Sequence, residues 1–221
     1  MTYAPPRVIS GIRYTVCQPD DAPELRRLLA EAFTRHDPPA VAVGLTSDEF
    51  EAFLTLFAPA AGVDGLTIIA RDETTGAMAG ALLTEDAISP PPAGLDGLSG
   101  KFDPIFDLLG QLVAKYQAGR TIASGESLHL FLLGVSQQFE RRSIGHHLVD
   151  TCLANGAARG YRSAITEATN LVSQHIFDRR GFVRRAAVSY ADYRHDDLPV
   201  FASIADQGGP IAMDRSLSML A

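Results

Sequence analysis

The sequence predicts one α/β domain, and three observations support that prediction. The chain has 221 residues, of which 46% are hydrophobic and 20% charged, and this composition suits a single domain with a sizeable core. An apolar, strand-like run at 128–135 precedes Ile144, Leu148 and Cys152, whose spacing of four is helical. A second strand and helix follow at 165–180, so strands and helices alternate in the C-terminal half.

The N-terminal third is predicted to contribute a strand and two helices. Residues 12–17 alternate as a first strand. Asp21 and Glu24, with an early proline, form a capping-box pattern for a helix that ends before Pro38. Thr46 begins a second helix, whose stripe of Phe50, Phe53, Leu54 and Phe57 we interpret as core packing.

An inserted helical segment is predicted at residues 88–126. A proline-rich breaker at 89–94 precedes apolar residues at helical spacing between Ile105 and Tyr116. A loop this long inside a compact domain is usually functional or disordered, so two interpretations remain open. The segment either covers a ligand pocket or caps exposed apolar surface. The remaining strands are predicted at 67–70, 77–84, 183–190 and 210–214.

The junction at residues 134–149 is the strongest candidate for a binding site. A helix that opens near Ser143 would direct unpaired N–H groups and the positive end of its dipole at a phosphate. Arg141 and Arg142 add charge-assisted donors at the same place. The P-loop and dinucleotide-binding glycine patterns are missing from this junction, so another kind of anion site is predicted.

This loop resembles the coenzyme A pyrophosphate loop of the GNAT superfamily of N-acetyltransferases. The family pattern is Arg or Gln, two residues, Gly, any residue, then Gly or Ala, and here residues 140–145 occupy it. Gly145 matches, whereas Glu140 and Ser143 depart from the pattern. The resemblance implies a GNAT-like α/β (α+β) fold, with a mixed, mostly antiparallel central sheet flanked by helices. The sheet would be splayed between the fourth and fifth strands, where acetyl-CoA binds.

A second segment carries the same resemblance. Asn170 follows a strand and begins a helix that contains Ser173, and Gly181 and Phe182 follow the helix, as in GNAT proteins. Where the superfamily often has a tyrosine that protonates the leaving thiolate, this chain has Phe177. The residues that the resemblance implies for coenzyme A binding are Leu133, Gly134, Val135, Arg141, Arg142, Ser143, Ile144, Gly145, His146, Asn170, Ser173 and Phe177.

The rest of the chain resembles the branch that contains arylalkylamine and dopamine N-acetyltransferases. Residues 36–39 and 44–50 are similar to its Asp-Glu-Pro-Leu segment and helix entry, and residues 173–176 are similar to its Ser-Gln motif. The position of the glutamate proposed as base in that branch falls on Pro38. The resemblance implies acetyl transfer from acetyl-CoA to the primary amine of a small aryl- or alkylamine. Acylation of a peptide amine and non-catalytic acyl-CoA binding remain as alternatives.

Such chemistry needs a base for the amine and an acid for the thiolate. Candidates for the base are Asp37, Glu167, His36, Glu85 and Asp86. Candidates for the acid are Ser173, one turn before Phe177 on the same helix face, and Tyr161, Tyr190 and Tyr193. Backbone N–H groups around Gly134 and Val135 are expected to stabilise the oxyanion.

Composition narrows the partners and the location. A net charge of −7 and a pI near 5.3 disfavour a nucleic-acid-binding face. The six histidines lack a metal-binding frame, so no metal site is expected. Cys17 and Cys152 are expected to be buried free thiols, which suits a reducing cytoplasm. Without a leader pattern or a run of transmembrane length, we expect a soluble cytoplasmic monomer or homodimer.

Overall fold

The computed structural model describes residues 5–217, and eight strands within them form one sheet. The strands are β1 (Arg7–Ile9), β2 (Ile12–Val16), β3 (Ile68–Asp72), β4 (Met78–Asp86), β5 (Ser127–Val135), β6 (Ser163–Ala168), β7 (Val183–Ala187) and β8 (Ile211–Ser216). Their order in space is β1-β2-β3-β4-β5-β6-β8-β7. The pair β5 and β6 is parallel, and the other neighbouring pairs in the described sheet are antiparallel. The predicted mixed, mostly antiparallel sheet is confirmed.

Helices cover both faces of this sheet. They are α1 (Ala22–His36), α2 (Pro38–Ala42), α3 (Ser47–Ala61), α4 (Asp103–Gln117), α5 (Ile144–Ala158) and α6 (Leu171–Asp178). The first four helices pack in one hydrophobic cluster, with Leu29 and Phe53, and α5 packs in the other, with Leu148. Alternate strand residues face opposite sides, so Leu82 and Leu83 of β4 belong to different clusters.

The short helix α2 was not predicted, and it changes the setting of Asp37. The chain leaves α1 at His36, and Pro38 and Pro39 then occupy the first turn of α2. Proline suits that position because its missing N–H is one that the first turn leaves unpaired in any case. The Asp37 side chain caps this helix by accepting a hydrogen bond from the Ala40 N–H at 3.1 Å.

The sheet splits between β5 and β6. Their parallel ladder covers three pairs and ends at His129 and Ile165, although both strands continue beyond that point. One more link follows, in which the Thr166 hydroxyl donates to the Leu130 carbonyl at 2.9 Å. The split lies between the fifth and sixth strands rather than the fourth and fifth, because the short strand β1 precedes the first strand that the sequence predicts.

A β-bulge lies next to the split. Leu83 of β4 pairs with Leu132 and Thr84 pairs with Leu130, so Phe131 is the extra residue of β5. Its ring packs against Phe57 of α3, with ring centroids 5.2 Å apart. The bulge therefore directs an aromatic side chain toward α3 at the place where β5 leaves β6.

Candidate active site

A cavity of about 740 Å³ lies at the open end of the split. Its walls come from the end of α1, the start of α2, the end of β5, the loop before α5 and the first turns of α6. The residues that line it are Ala32, Phe33, His36, Asp37, Pro38, Leu133, Gly134, Val135, Glu140, Arg141, Gly145, Asn170, Leu171, Val172, Ser173, Ile176 and Gln207. Seven residues expected to bind coenzyme A therefore meet here: Leu133, Gly134, Val135, Arg141, Gly145, Asn170 and Ser173.

A second cavity of about 500 Å³ adjoins the first at the start of α5. Ser143, Ile144 and His146 line it, together with Arg141 and Gly145, which both cavities share. Of the expected coenzyme A residues, Arg142 and Phe177 line neither cavity. The fold thus places most of the residues that the sequence proposed for coenzyme A binding on two adjoining cavities.

The loop before α5 owes its shape to two non-glycine residues with positive φ. Arg141 has φ +61° and Ser143 has φ +59°, both in the left-handed region. Ser143 stands where the resembling family has glycine, and it adopts the conformation that favours glycine. No side chain caps the described start of α5, so its first N–H groups are left for a ligand.

The two arginines of this loop point to different places. Arg141 lines both cavities. Arg142 instead lies 3.7 Å from the Asp72 carboxylate, donates to the Ser10 carbonyl at 3.3 Å, and stacks over the Phe139 ring. Arg141 is therefore the arginine available for a bound anion.

His146 supplies a test of whether the smaller cavity fits a polar ligand. Its Nδ1 atom is buried and has no hydrogen-bond partner among the described residues. Burial lowers the pKa of His146, and the Arg180 charge lowers it further, so the ring is neutral near pH 7. A buried ring nitrogen without a partner is expected to bond to a ligand or to water. Together with the open N–H groups of α5 and the Arg141 side chain, the residues present fit a phosphorylated ligand at this helix start.

Gly145 and Gly134 allow close packing around the cavity. A Cβ atom on Gly145 would lie 3.2 Å from Ile176 of α6, which is tighter than ordinary packing. A Cβ atom on Gly134 would meet Leu29 of α1 at 2.8 Å. These glycines bring α6 and α1 close to the split.

The N–H groups that face the split are not those of Gly134. Ser136 donates its N–H to the Ala79 carbonyl at 3.0 Å, so by antiparallel alternation Gly134 also bonds toward β4. The N–H groups of Leu133 and Val135 then point toward the split. Of the two residues expected to donate to the oxyanion, Val135 directs its N–H group toward the split and Gly134 does not, whereas Leu133 does.

Asp37 is a buried carboxyl in the wall of the larger cavity. It is 7% exposed, and besides the Ala40 N–H it accepts a hydrogen bond from the Thr169 hydroxyl. Burial raises the pKa of Asp37 to about 6, although both hydrogen bonds favour the charged form. Tyr190 fixes the same segment by donating to the Thr169 carbonyl at 2.7 Å.

Asn170 and Ser173 form a reciprocal cap at the start of α6. Asn170 Oδ1 accepts from the Ser173 N–H at 2.8 Å, and the Ser173 hydroxyl oxygen accepts from the Asn170 N–H at 3.4 Å. The Ser173 hydroxyl also donates to the Asn170 carbonyl at 2.9 Å. Phe177, one turn later, is buried and packs edge-on against Phe182 with ring centroids 5.0 Å apart. Phe177 therefore belongs to the core rather than to the cavity wall.

The three candidate tyrosines lie outside both cavities. Tyr161 donates to Asp86, which also holds the Gly125 N–H, and Tyr193 donates to Asp107 at 2.7 Å. Tyr190 is fully buried, and burial followed by the nearby Asp37 charge raises its pKa. These phenols, and Asp86, have structural partners.

Glu167 and Glu85 meet at His129 rather than at the larger cavity. The Nε2 atom of His129 lies 2.6 Å from Glu167, and its Nδ1 atom lies 3.1 Å from Glu85. His36 does line the larger cavity, 3.3 Å from Glu140, with a largely exposed side chain. Of the candidate bases, only Asp37 is both buried and in the wall of the larger cavity.

Cys17 and Cys152 are buried free thiols, as expected, and burial raises the pKa of each to about 12. Within residues 5–217, no group of His, Cys, Asp and Glu side chains could hold a metal ion. Over the same residues, none of the helices has both the length and the apolar character needed to cross a bilayer.

Residues 100–182, which contain β5, the loop, α5, β6 and α6, match the model of the acetyltransferase (GNAT) family. Within this segment the chain is similar to the GNAT acetyltransferases. The matched segment supplies most of the split and of both cavity walls. Glu140, Ser143 and Phe177, which depart from the family pattern, all lie within the matched segment.

Solved structures with this GNAT fold cover almost the whole chain. The C-terminal condensation domain of Ebony, solved in complex with β-alanyl-dopamine, is similar with a TM-score of 0.85 and 15% identity, covering 93% of this chain and 98% of that domain. Arylalkylamine N-acetyltransferase 2 from Aedes aegypti has a TM-score of 0.80 and 18% identity, with 95% and 100% covered. The polyamine N-acetyltransferase of Drosophila melanogaster has a TM-score of 0.75 and 18% identity, with 93% and 100% covered. At these identities the likeness establishes the fold.

Proposed function

We propose that this protein transfers an acetyl group from acetyl-CoA to the primary amine of a small aryl- or alkylamine. One observation carries the proposal: the buried carboxyl of Asp37 lies in the same cavity wall as Leu133 and Val135 of the split and Arg141 of the loop. A base, backbone donors and an anion-binding loop thus surround one space. Acyl transfer from a thioester to an amine needs these three elements.

The donor half of the proposal rests on the split and the start of α5. The pyrophosphate of acetyl-CoA would bind the open N–H groups after Ser143, with Arg141 as a charged donor. The pantetheine arm would lie between β5 and β6 and would bond to the N–H groups of Leu133 and Val135. One of these groups would also stabilise the oxyanion at the thioester carbon.

Asp37 would remove the proton from the amine. An alkylamine with a pKa of about 10 is neutral in roughly one molecule per thousand at pH 7, which adds about 4 kcal/mol to the barrier. The Asp37 carboxylate is ionised at pH 7, and its pKa of about 6 makes it a stronger base than an ordinary aspartate. Each of its oxygens accepts one hydrogen bond, so each keeps a lone pair for a proton.

A chain of aromatic rings supports an aryl or alkyl acceptor. Phe33 lines the larger cavity, and its ring stacks on Phe50 with centroids 5.1 Å apart. Phe53 follows at 5.5 Å from Phe50, and Phe106 of α4 follows at 5.9 Å from Phe53. Phe33, Phe50 and Phe53 belong to the hydrophobic cluster that contains α1. An apolar acceptor would pack on Phe33, the ring of this chain that lines the larger cavity, with its amine toward Asp37.

One observation favours non-catalytic acyl-CoA binding as a second candidate. The described lining of the larger cavity contains no tyrosine, and the Ser173 hydroxyl already donates to the Asn170 carbonyl. The leaving thiolate would then have no dedicated acid. The thiol of coenzyme A is a fair leaving group, so water or the ammonium proton could serve in an active enzyme.

Thiol release from acetyl-CoA separates the two candidates. The acceptors to compare are phenylethylamine, a linear alkylamine and a peptide with a free N-terminus. Mass spectrometry would identify the acetylated product. We expect amine-dependent thiol release that is fastest with the small amines. Thermal unfolding with coenzyme A at about a hundred times its Kd should show a stabilisation of about 2.7 kcal/mol. Stabilisation without thiol release would identify a binding module. The absence of both stabilisation and thiol release would refute the proposed donor.

A further inference from the structure

His129 occupies the point at which the split begins. It is the last β5 residue in the parallel ladder with β6, where it pairs with Ile165. Its ring then spans the beginning of the gap, because Nε2 lies 2.6 Å from the Glu167 carboxylate of β6. On the other side, Nδ1 lies 3.1 Å from Glu85 of β4. The Glu85–His129–Glu167 cluster therefore ties three neighbouring strands together by side chains where the backbone ladder stops.

The cluster is charged although it is largely buried. Burial alone would lower the pKa of His129, but the charge and hydrogen bond of Glu167, with those of Glu85, outweigh burial and raise it to about 10. Burial would raise the pKa of Glu167, and the His129 charge reverses this and lowers it. The side chains of His129 and Glu167 are 16% and 12% exposed, so water screens their attraction weakly. An imidazolium thus stays between the two carboxylates across the neutral pH range.

Phe131 connects this cluster to the bulge of β5. The rings of His129 and Phe131 lie 5.1 Å apart, and Phe131 packs on Phe57 of α3. The residue after the bulge, Leu132, returns to the β4 ladder opposite Leu83. The course of β5 between His129 and Leu133 is therefore fixed at both ends, by the cluster and by β4.

We propose that the Glu85–His129–Glu167 cluster is a positioning clamp, which sets the spacing of β5 and β6 at the closed end of the split and thereby the placement of the donor thioester. This proposal rests on the proposed function for the identity of the donor. Beyond the ladder, only the cluster and the Thr166 hydroxyl link the described parts of the two strands across the gap. Two strands held by three ladder pairs would otherwise open and close at this end.

A clamp at this position should affect the two ends of the donor differently. The adenosine end would contact the loop before α5, beyond the far end of β5 from His129. The pantetheine and thioester end would lie in the gap that the clamp sets. Loss of the clamp should therefore weaken contacts of the arm and leave those of the nucleotide unchanged.

The test compares Glu167→Gln and His129→Gln with Glu126→Gln, which removes an exposed ion pair to Arg162 beside the start of the same strands. Binding of coenzyme A and of adenosine 3′,5′-bisphosphate would be measured by calorimetry, together with kcat. In the first two variants we expect bisphosphate affinity to be unchanged and coenzyme A affinity to fall about tenfold. Misplacement of the thioester should lower kcat by about tenfold to a hundredfold. Glu126→Gln should behave as wild type.

Amide hydrogen exchange in the free protein supplies a readout that does not depend on the donor. Glu167→Gln should speed exchange in β5 residues 130–135 relative to Glu126→Gln, since a loosened split opens more often. If Glu167→Gln does not fold, Glu85→Gln, which removes the longer 3.1 Å contact, replaces it with smaller expected effects. Unchanged exchange rates would overturn the clamp proposal. An equal loss of affinity for coenzyme A and for the bisphosphate would overturn it as well. A wild-type protein that binds neither ligand would refute the proposed function, while the exchange comparison would still decide the clamp.

Discussion

At the scale of single residues, Ser143 adopts a left-handed backbone conformation that glycine adopts more easily. Its φ of +59° costs a non-glycine residue about 1–2 kcal/mol, and its side chain makes no capping hydrogen bond to offset this cost. Glycine would remove that strain but would lose about 0.5–1 kcal/mol more backbone entropy on folding. We expect Ser143→Gly to raise the free energy of unfolding by about 0.5–1 kcal/mol, measured by urea denaturation.

The matched control for that variant is Ser136→Gly, seven residues earlier in the same connection. Ser136 has φ −61°, which any residue adopts, so glycine there only adds entropy to the unfolded chain. Ser136→Gly should therefore lower stability. Equal effects of the two glycines would show that strain at Ser143 is absent.

Ser173 is the second residue whose chemistry can be separated from its packing. To act as acid for the leaving thiolate, its hydroxyl must turn away from the Asn170 carbonyl; in that role it would contribute at the low end of the usual range, so Ser173→Ala should lower kcat at least about tenfold. The KM for acetyl-CoA should change little, because Asn170 still caps α6 through the Ser173 N–H. Tyr161→Phe, Tyr190→Phe and Tyr193→Phe serve as comparisons over a range of pH values. A tyrosine variant that loses the alkaline limb of the pH profile, beside a normal Ser173→Ala enzyme, would transfer the role to that tyrosine.

At the scale of elements, the start of α5 is the proposed anion site, and substitution of Gly145 tests it. Gly145→Asp places a negative charge in both cavities, and its Cβ lies 3.2 Å from Ile176. Coenzyme A affinity, measured by calorimetry, should fall by more than tenfold, which is about 1.4 kcal/mol. Gly145→Ala makes the same close contact without the charge, so it should lose much less. Similar losses in both variants would assign the effect to packing and not to the pyrophosphate.

The inserted helix α4 belongs to the core rather than to a detachable cover. Leu108 and Leu112 are fully buried in the same cluster as Tyr190. The helix also exposes one ring, since Phe106 is 36% exposed beside Phe53. None of residues 88–126 lines the larger cavity, so the interpretation that this segment covers a ligand pocket stays a prediction for the exposed face of α4.

Phe106 allows a test of the exposed face alone. If the exposed face of α4 contacts the acceptor, Phe106→Ala should raise the KM for phenylethylamine about tenfold, because an aromatic contact is worth up to about 1.5 kcal/mol. Coenzyme A affinity should remain unchanged. The control for truncation of an exposed apolar side chain is Val63→Ala. Val63 follows α3 in the chain, and it is 76% exposed. An unchanged preference among amines in Phe106→Ala would place the acceptor elsewhere.

At the scale of the whole molecule, local patterns predicted the fold better than the site. The apolar run at 128–135 and the spacing after Ile144 each lie within one element, so β5 and α5 were predictable. The choice between Arg141 and Arg142 depends on two positive φ angles, which the residue types at those positions do not favour. The Glu85–His129–Glu167 cluster was missed because its members come from three strands, and His129 alone carries no signal in the sequence.

Asp37 shows why the base could not be assigned from spacing. The resemblance places the glutamate proposed as base on Pro38, whereas in the structure the carboxylate in the cavity wall is that of the preceding residue, Asp37, which caps α2. The partner of Asp37, Thr169, is 132 positions away in the chain. Its burial and its pKa of about 6 arise only when α2 meets the end of β6.

The central claim is that Asp37 is the base of an amine acetylation. Because burial raises its pKa, the carboxyl adds stability that is present below its ordinary pKa of about 3.9 and is lost as pH rises through about 6. Asp37→Asn keeps an oxygen for the Ala40 N–H and removes the buried charge. The variant should therefore fold, and above pH 6 it should be at least as stable as wild type.

The pH dependence of kcat/KM for the amine, measured by thiol release from acetyl-CoA between pH 5 and 9, tests this claim most directly. The wild-type profile should include a rise with an apparent pKa near 6, from ionisation of Asp37, in addition to the rise from the amine itself. Asp37→Asn should lose the rise near pH 6 and about a hundredfold or more of the rate at pH 7. Asp20→Asn, at an exposed turn, should match wild type. A folded Asp37→Asn variant with the wild-type profile would contradict the account.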